Sequence, residues 1–150
     1  MIILYTPDGG ETQHLDAGRL RASEIQIIER TADAHWRDIQ NGMKDGDINA
    51  VRAVAFVIKK RTEPSLRLAA FDPFEDELQV KLDLRETRGY IQWALEKYGS
   101  DPEALEGAYE EIRDACIDPD AFDGIVAEET APKDPAPPAA TETLSASPSE

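Results

Sequence analysis

Residues 46–61 read GDINAVRAVAFVIKKR, and the reading of this stretch decides the fold. Gly46 suits the left-handed turn that closes one helix, and Asp47 is the natural N-cap of the next. From Ile48 onward apolar residues follow one another with few polar interruptions, so the helix over residues 48–60 is expected to be the most buried element of the chain. Its Lys59-Lys60-Arg61 end complements the negative pole of the helix dipole. Upstream, Trp36, Ile39 and Met43 lay an apolar stripe on a helix that stops near Gly46. Ser23 stands three residues before Gln26, the spacing of a capping box, so a first helix is expected to begin near Glu24 and to carry Ile25, Ile27 and Ile28.

On the N-terminal side, residues 2–6 predict a strand, Pro7-Asp8-Gly9-Gly10 a turn, and residues 11–16 the return strand of a hairpin. On the other side, Leu78, Val80, Leu82 and Leu84 alternate with Gln79, Lys81 and Asp83 at period two, which predicts a half-buried strand able to join that hairpin. Tyr90, Ile91, Trp93, Ala94, Leu95 and Tyr98 mark a helix closed by Gly99. Ser100-Asp101-Pro102-Glu103 then combines a cap, a first-turn proline and a first-turn acid ahead of a last helix lined by Leu105, Ala108, Tyr109 and Ile112. The fold class is therefore mainly α (α+β), a small helical domain with a short N-terminal β-hairpin and room for a third strand. No internal repeat is visible at a period of about 20 to 50 residues.

The chain has 150 residues and a formal net charge of -15. Beyond Ile117 a single lysine, Lys133, faces eight acids, so that part carries -7 and the first 117 residues carry -8. This shift divides the chain into a helical domain, 1–117, and an acidic, Pro/Ala/Ser-rich tail, 118–150. Past Thr130 the only large apolar side chain is Leu144, too little burial to offset the entropy of ordering, so the tail is expected to be disordered and to add nothing to the core. Such a tail reads either as an acidic arm for a basic partner or as a solubilising appendage.

The excess of carboxylates argues against nucleic acid and against anionic membranes, both of which call for clustered Lys and Arg. No apolar run approaches the roughly 20 residues of a membrane helix, and the opening Met1-Ile2-Ile3-Leu4-Tyr5 lacks the length and positive flank of a signal peptide. The single cysteine, Cys116, rules out an intrachain disulfide and suits a reducing cytoplasm.

The residues point to no enzyme, metal or cofactor. Asp45-Gly46-Asp47-Ile48-Asn49 opens like a calcium loop, but Ala50 and Phe56 stand where that loop needs glycine and a bidentate glutamate. His14 and His35 have no second ligand at metal spacing, Gly9-Gly10 lacks a phosphate-loop continuation, and Cys116 has no base beside it in sequence. Trp36, Phe56, Trp93 and Tyr109 fall on apolar stripes and are assigned to the core. Phe71 and Phe74 flank Asp72-Pro73 in a loop-like segment, where rings of that size either fold back over the helices or face a partner. They are the pair assigned to partner binding.

The order Ala22-Ser23-Glu24-Ile25 through Glu29-Arg30-Thr31, then Trp36-Arg37-Asp38-Ile39, Gly46-Asp47, an Ala- and Val-rich helix, Lys60-Arg61 with Pro64 and Leu66, and Phe71-Asp72 resembles the tail assembly chaperones of long-tailed (siphovirus-type) bacteriophages, especially those of actinobacterial hosts. The resemblance covers roughly residues 2–84. It implies a protein that coats the helical tape measure protein before the tail tube forms, works in the host cell cytoplasm and is absent from the finished virion. It further implies a longer product, made by a programmed ribosomal frameshift, that recruits tail tube protein, and self-association of copies along the partner. A structural head-tail joining or tail completion protein of the virion is the alternative. It too would be small and free of catalytic motifs.

Overall fold

A computed structural model describes residues 1–132. Its first strands, β1 (Ile2–Tyr5) and β2 (Gln13–Asp16), form the expected antiparallel hairpin, with Ile3 opposite Leu15. The turn is closed by the Gly10 amide donating to the Pro7 carbonyl at 2.9 Å, and Gly9 takes a positive φ of 66°, a conformation open to glycine at little cost. A third strand, β3 (Leu78–Lys81), pairs antiparallel with the other edge of β1, giving the order β2-β1-β3. Ile3, at the centre of the central strand, is fully buried.

Helices α1 (Ala22–Ala32), α2 (Trp36–Asp45) and α3 (Ile48–Lys59) follow the hairpin. As expected, α3 is the most buried: it packs against α1, α2 and all three strands, and Ala50, Val51 and every residue from Ala53 to Lys59 are buried. Its start is capped as its sequence predicts, with Asp47 Oδ1 accepting from the Asn49 amide at 2.9 Å, and Gly46 closes α2 at a φ of 79°. The buried Lys59 ammonium is satisfied by Gln13 Oε1 at 3.0 Å and Glu63 Oε1 at 2.9 Å, and lies 5.1 Å from the centre of the Tyr5 ring.

Ser23 is not the cap of α1. The helix begins earlier, and the Arg21 amide is taken by Glu24 Oε2 at 2.7 Å. Glu24 is free to act there because Arg61, just past α3, holds it bidentately, with Nε and Nη2 each 2.7 Å from a carboxylate oxygen. The Arg61 guanidinium, helped by the Arg21 amide and working against burial, draws the Glu24 carboxyl from its ordinary 4.5 down to about 2. A depressed carboxylate contributes stability above its unfolded value and loses it as pH falls through the folded one. Acid unfolding between pH 4.5 and 2 should therefore be shallower in Glu24→Gln than in the wild type, by about 1–2 kcal/mol once the partial exposure of Arg61 is allowed for. Parallel acid titrations of the two proteins check this, and the same loss of stability between pH 4.5 and 2 in both would reject the assignment.

The period-two pattern of residues 78–84 runs out earlier than expected. Leu82 makes one parallel bridge to Cys116, and Asp83 then caps α4 (Leu84–Tyr98), accepting from the Glu86 amide at 2.8 Å while Glu86 Oε2 accepts from the Asp83 amide at 3.2 Å. That reciprocal cap turns Leu84 into a helical residue, 43% exposed. The Met1 ammonium lies 2.6 Å from Asp83 and 2.5 Å from Glu86, tying β1 to the start of α4. Burial pushes the ammonium pKa down, but the two carboxylates prevail and hold it above its ordinary 8.0.

After α4 come α5 (Pro102–Ala115), capped by Asp101 as expected, and α6 (Pro119–Thr130). The last corrects the sequence reading, which ends the folded domain at 117. Asp118 Oδ1 accepts from the Asp120 and Ala121 amides, and Phe122 and Ile125 are buried with Ile91, Ala94 and Ile112 in a second apolar cluster. Tyr109 meets Phe122 edge-on at 5.8 Å, and the Arg113 guanidinium lies 4.9 Å over the same ring. The acids that suggested a solvated tail are engaged: Glu128 and Glu129 bind Arg88, Glu129 also binds Gln92, and Asp123 binds Arg113. The disorder expected for residues 133–150 lies outside the described residues.

Candidate protein-binding groove

The two residues assigned to partner binding part company. Phe71 is only 3% exposed, its ring edge-on to Tyr5 at 5.3 Å and tilted against Phe56 at 6.4 Å. The segment carrying it is drawn onto α3 by Arg52, whose Nε donates to the Phe71 carbonyl at 2.8 Å and whose Nη2 donates to the Leu68 carbonyl at 2.9 Å. Those two bonds satisfy loop carbonyls with a helix side chain, so the ring folds inward despite its irregular backbone. Phe71 belongs to the core. Phe74, beyond Pro73, is 72% exposed, with its amide held by Glu77 Oε2 at 2.9 Å. Only Phe74 keeps the exposure that a contact residue requires.

Trp93 reverses the other way. It was assigned to the core and is 47% exposed, beside Tyr90 at 40%. Around α4, Ile91, Ala94, Leu95 and Tyr98 face the second cluster, while Tyr90, Trp93 and Lys97 form a separate stripe. The spacing held this signal: the neighbours of Trp93 four residues away are Gly89 and Lys97, neither of which extends an apolar core stripe. Phe56 is buried as expected, and Trp36 and Tyr109 are half-buried against the two clusters.

Tyr90 and Trp93 wall a groove of about 400 Å³ between the two halves of the molecule. Val80 and Leu82 from the sheet side, Ile112 from α5, and Met1 and Met43 line it as well. A second depression of about 340 Å³ continues it across Gly89. Lys97 Nζ sits 4.6 Å from the centre of the Trp93 ring and 4.8 Å from that of Tyr98, which itself meets Trp93 edge-on at 5.7 Å. These contacts hold the indole, which stays about half exposed. Lys44 and Lys81 stand among the lining residues with Glu111. An aromatic, methionine-lined trough with a polar rim can bind an apolar segment and tolerate variation in its side chains, since methionine adapts its shape.

Elsewhere, His14 and His35 are exposed, and no group of three or more metal-ligating side chains comes together among the described residues. Asp47 of the calcium-like stretch serves as the cap of α3. Cys116 is buried, its Sγ accepting from Thr87 Oγ1 at 3.3 Å and donating to the Asp118 carbonyl at 3.2 Å. No helix among the described residues is long and apolar enough to cross a membrane. No protein-family model matches the chain, and neither a curated protein nor a solved structure matches it.

Proposed function

We propose that this protein is a phage tail assembly chaperone that binds the tape measure protein and keeps it soluble until the tail tube assembles. The observation that carries the reading is the order of residues from Ala22 to Asp72, which resembles that family and coincides with α1, α2, α3 and the segment folded over them, one packed unit. Exposed aromatic surface at Phe74, Tyr90 and Trp93 supports it, because a long amphipathic helix displays apolar stripes that such surface can cover. The net charge of -15 would keep coated copies apart, and many weak contacts along one extended partner act together. Tail tube protein enters through a longer frameshifted form, and release follows as tube subunits compete.

Co-expression tests the reading. The tape measure protein encoded beside this chain should be soluble in its presence and aggregate in its absence. Aggregation in both cases would remove the proposal, and recovery of this chain from purified virions would favour the head-tail joining alternative.

A further inference from the structure

Three depressions run together along the seam between the two halves of the molecule. The groove of about 400 Å³ beside Tyr90 and Trp93 and its continuation across Gly89 are joined by another depression of about 340 Å³, which reaches Leu20, Ile25 and Trp36. Met1 and Lys44 line all three, so they form one trough that leads from α5 past α4 to α1 and α2. Its lining is largely apolar and its open charge is mostly positive. Lys44 and Lys81 line it, and Lys97 lies over the Trp93 ring. Among the described residues none of these three lysines is ion-paired: Lys81 Nζ donates at 2.6 Å to the Asp114 carbonyl, a neutral acceptor that leaves its charge uncompensated. Two carboxylates also line the trough. Glu86 is engaged by the Met1 ammonium and the Asp83 amide, which leaves Glu111 as the unpaired acid. Three unpaired lysines thus stand against one unpaired carboxylate, in a chain whose 31 acids outnumber its 16 Lys and Arg.

We propose that the trough docks an amphipathic helix of another protein whose apolar stripe is bordered by Asp or Glu. Side chains three and four apart along such a helix fall in a row, which suits depressions in series, and carboxylates on its edges meet Lys44, Lys81 and Lys97. At about 0.15 M salt, charges more than roughly 8 Å apart are largely screened, so these local lysines decide the preference and the net charge of -15 does not. A basic helix, the partner that net charge alone would suggest, is disfavoured at this site. A second copy of the chain offers Phe74 among Asp72, Glu75 and Asp76, but one ring cannot fill three depressions. Under the reading above, the stretches of an extended helical partner that the trough covers are those bordered by acids. The charge of the trough stands apart from that reading and is tested without the partner.

The test uses the full chain and two synthetic peptides of about 18 residues, long enough to be helical. Both carry leucine and phenylalanine along one stripe, bordered by glutamate in one peptide and by lysine in the other. Titration calorimetry at about 0.15 M salt should show the glutamate peptide binding about tenfold more tightly than the lysine peptide. Lys44→Glu together with Lys97→Glu, both at exposed positions, should remove that preference, and Trp93→Ser should weaken the glutamate peptide about tenfold, with circular dichroism unchanged in each variant. Equal affinities, tighter binding of the lysine peptide, binding of neither, or a preference that survives the lysine changes would overturn the proposal. So would sedimentation in which the chain alone self-associates and loses that association in both Phe74→Ser and Trp93→Ser, because the occupant would then be a second copy.

Discussion

A chain ending at Asp118 is expected to melt more than about 10 °C below the full chain, whereas one ending at Pro132 should stay within about 1 kcal/mol of it. The shorter cut removes Phe122 and Ile125 from a cluster whose other buried members are Ile91, Ala94 and Ile112. It also leaves Arg88 and Arg113 without the carboxylates that bind them. Phe122→Ala isolates the packing component and should cost about 3–5 kcal/mol, a large share of the stability of a domain this size. Calorimetric melts of these proteins decide the matter. Equal midpoints for the Asp118 and full-length chains would mean that α6 contributes nothing to the fold.

Phe71→Ser should be the second most damaging change, at about 3–5 kcal/mol, because it empties a buried site between Tyr5 and Phe56 and puts a hydroxyl there. The same substitution at Phe74 should shift stability by no more than about 0.5 kcal/mol. Urea unfolding separates the two. If Phe71→Ser unfolds at the wild-type midpoint, the ring is not part of the core and the segment is looser than its bonds to Arg52 imply.

These two residues show what sequence could and could not settle. Local rules placed the hairpin, the Gly46-Asp47 junction, α3 and the Asp101-Pro102 start correctly, because each rests on one or two residues with strong backbone preferences. The inward turn of Phe71 depends on Arg52, nineteen positions away, reaching two loop carbonyls. No local pattern carries that information. The early start of α1 likewise depends on Arg61 holding Glu24 across the fold.

Helix α6 is a different case, since its signal was present. Asp118-Pro119 repeats the cap-and-proline pattern of Asp101-Pro102, and Phe122, Ile125 and Val126 fall at helical spacing. Net charge masked it: acids that looked like a solvated run are ion-paired to Arg88 and Arg113 on neighbouring helices. Trp93 was misplaced for a related reason. Its helix carries two stripes, and ring size alone put Trp93 on the wrong one.

The most direct measurement of the central claim is the soluble fraction of the tape measure protein when it is co-expressed with the wild-type chain, with the double variant Tyr90→Ser and Trp93→Ser, and with no chain at all. Both substituted rings are exposed, so the variant should fold as the wild type does. Solubility with the wild-type chain, and a fall toward the level seen without it when the two groove residues are replaced, is the predicted result. A tape measure protein that precipitates equally in all three cases would contradict the account.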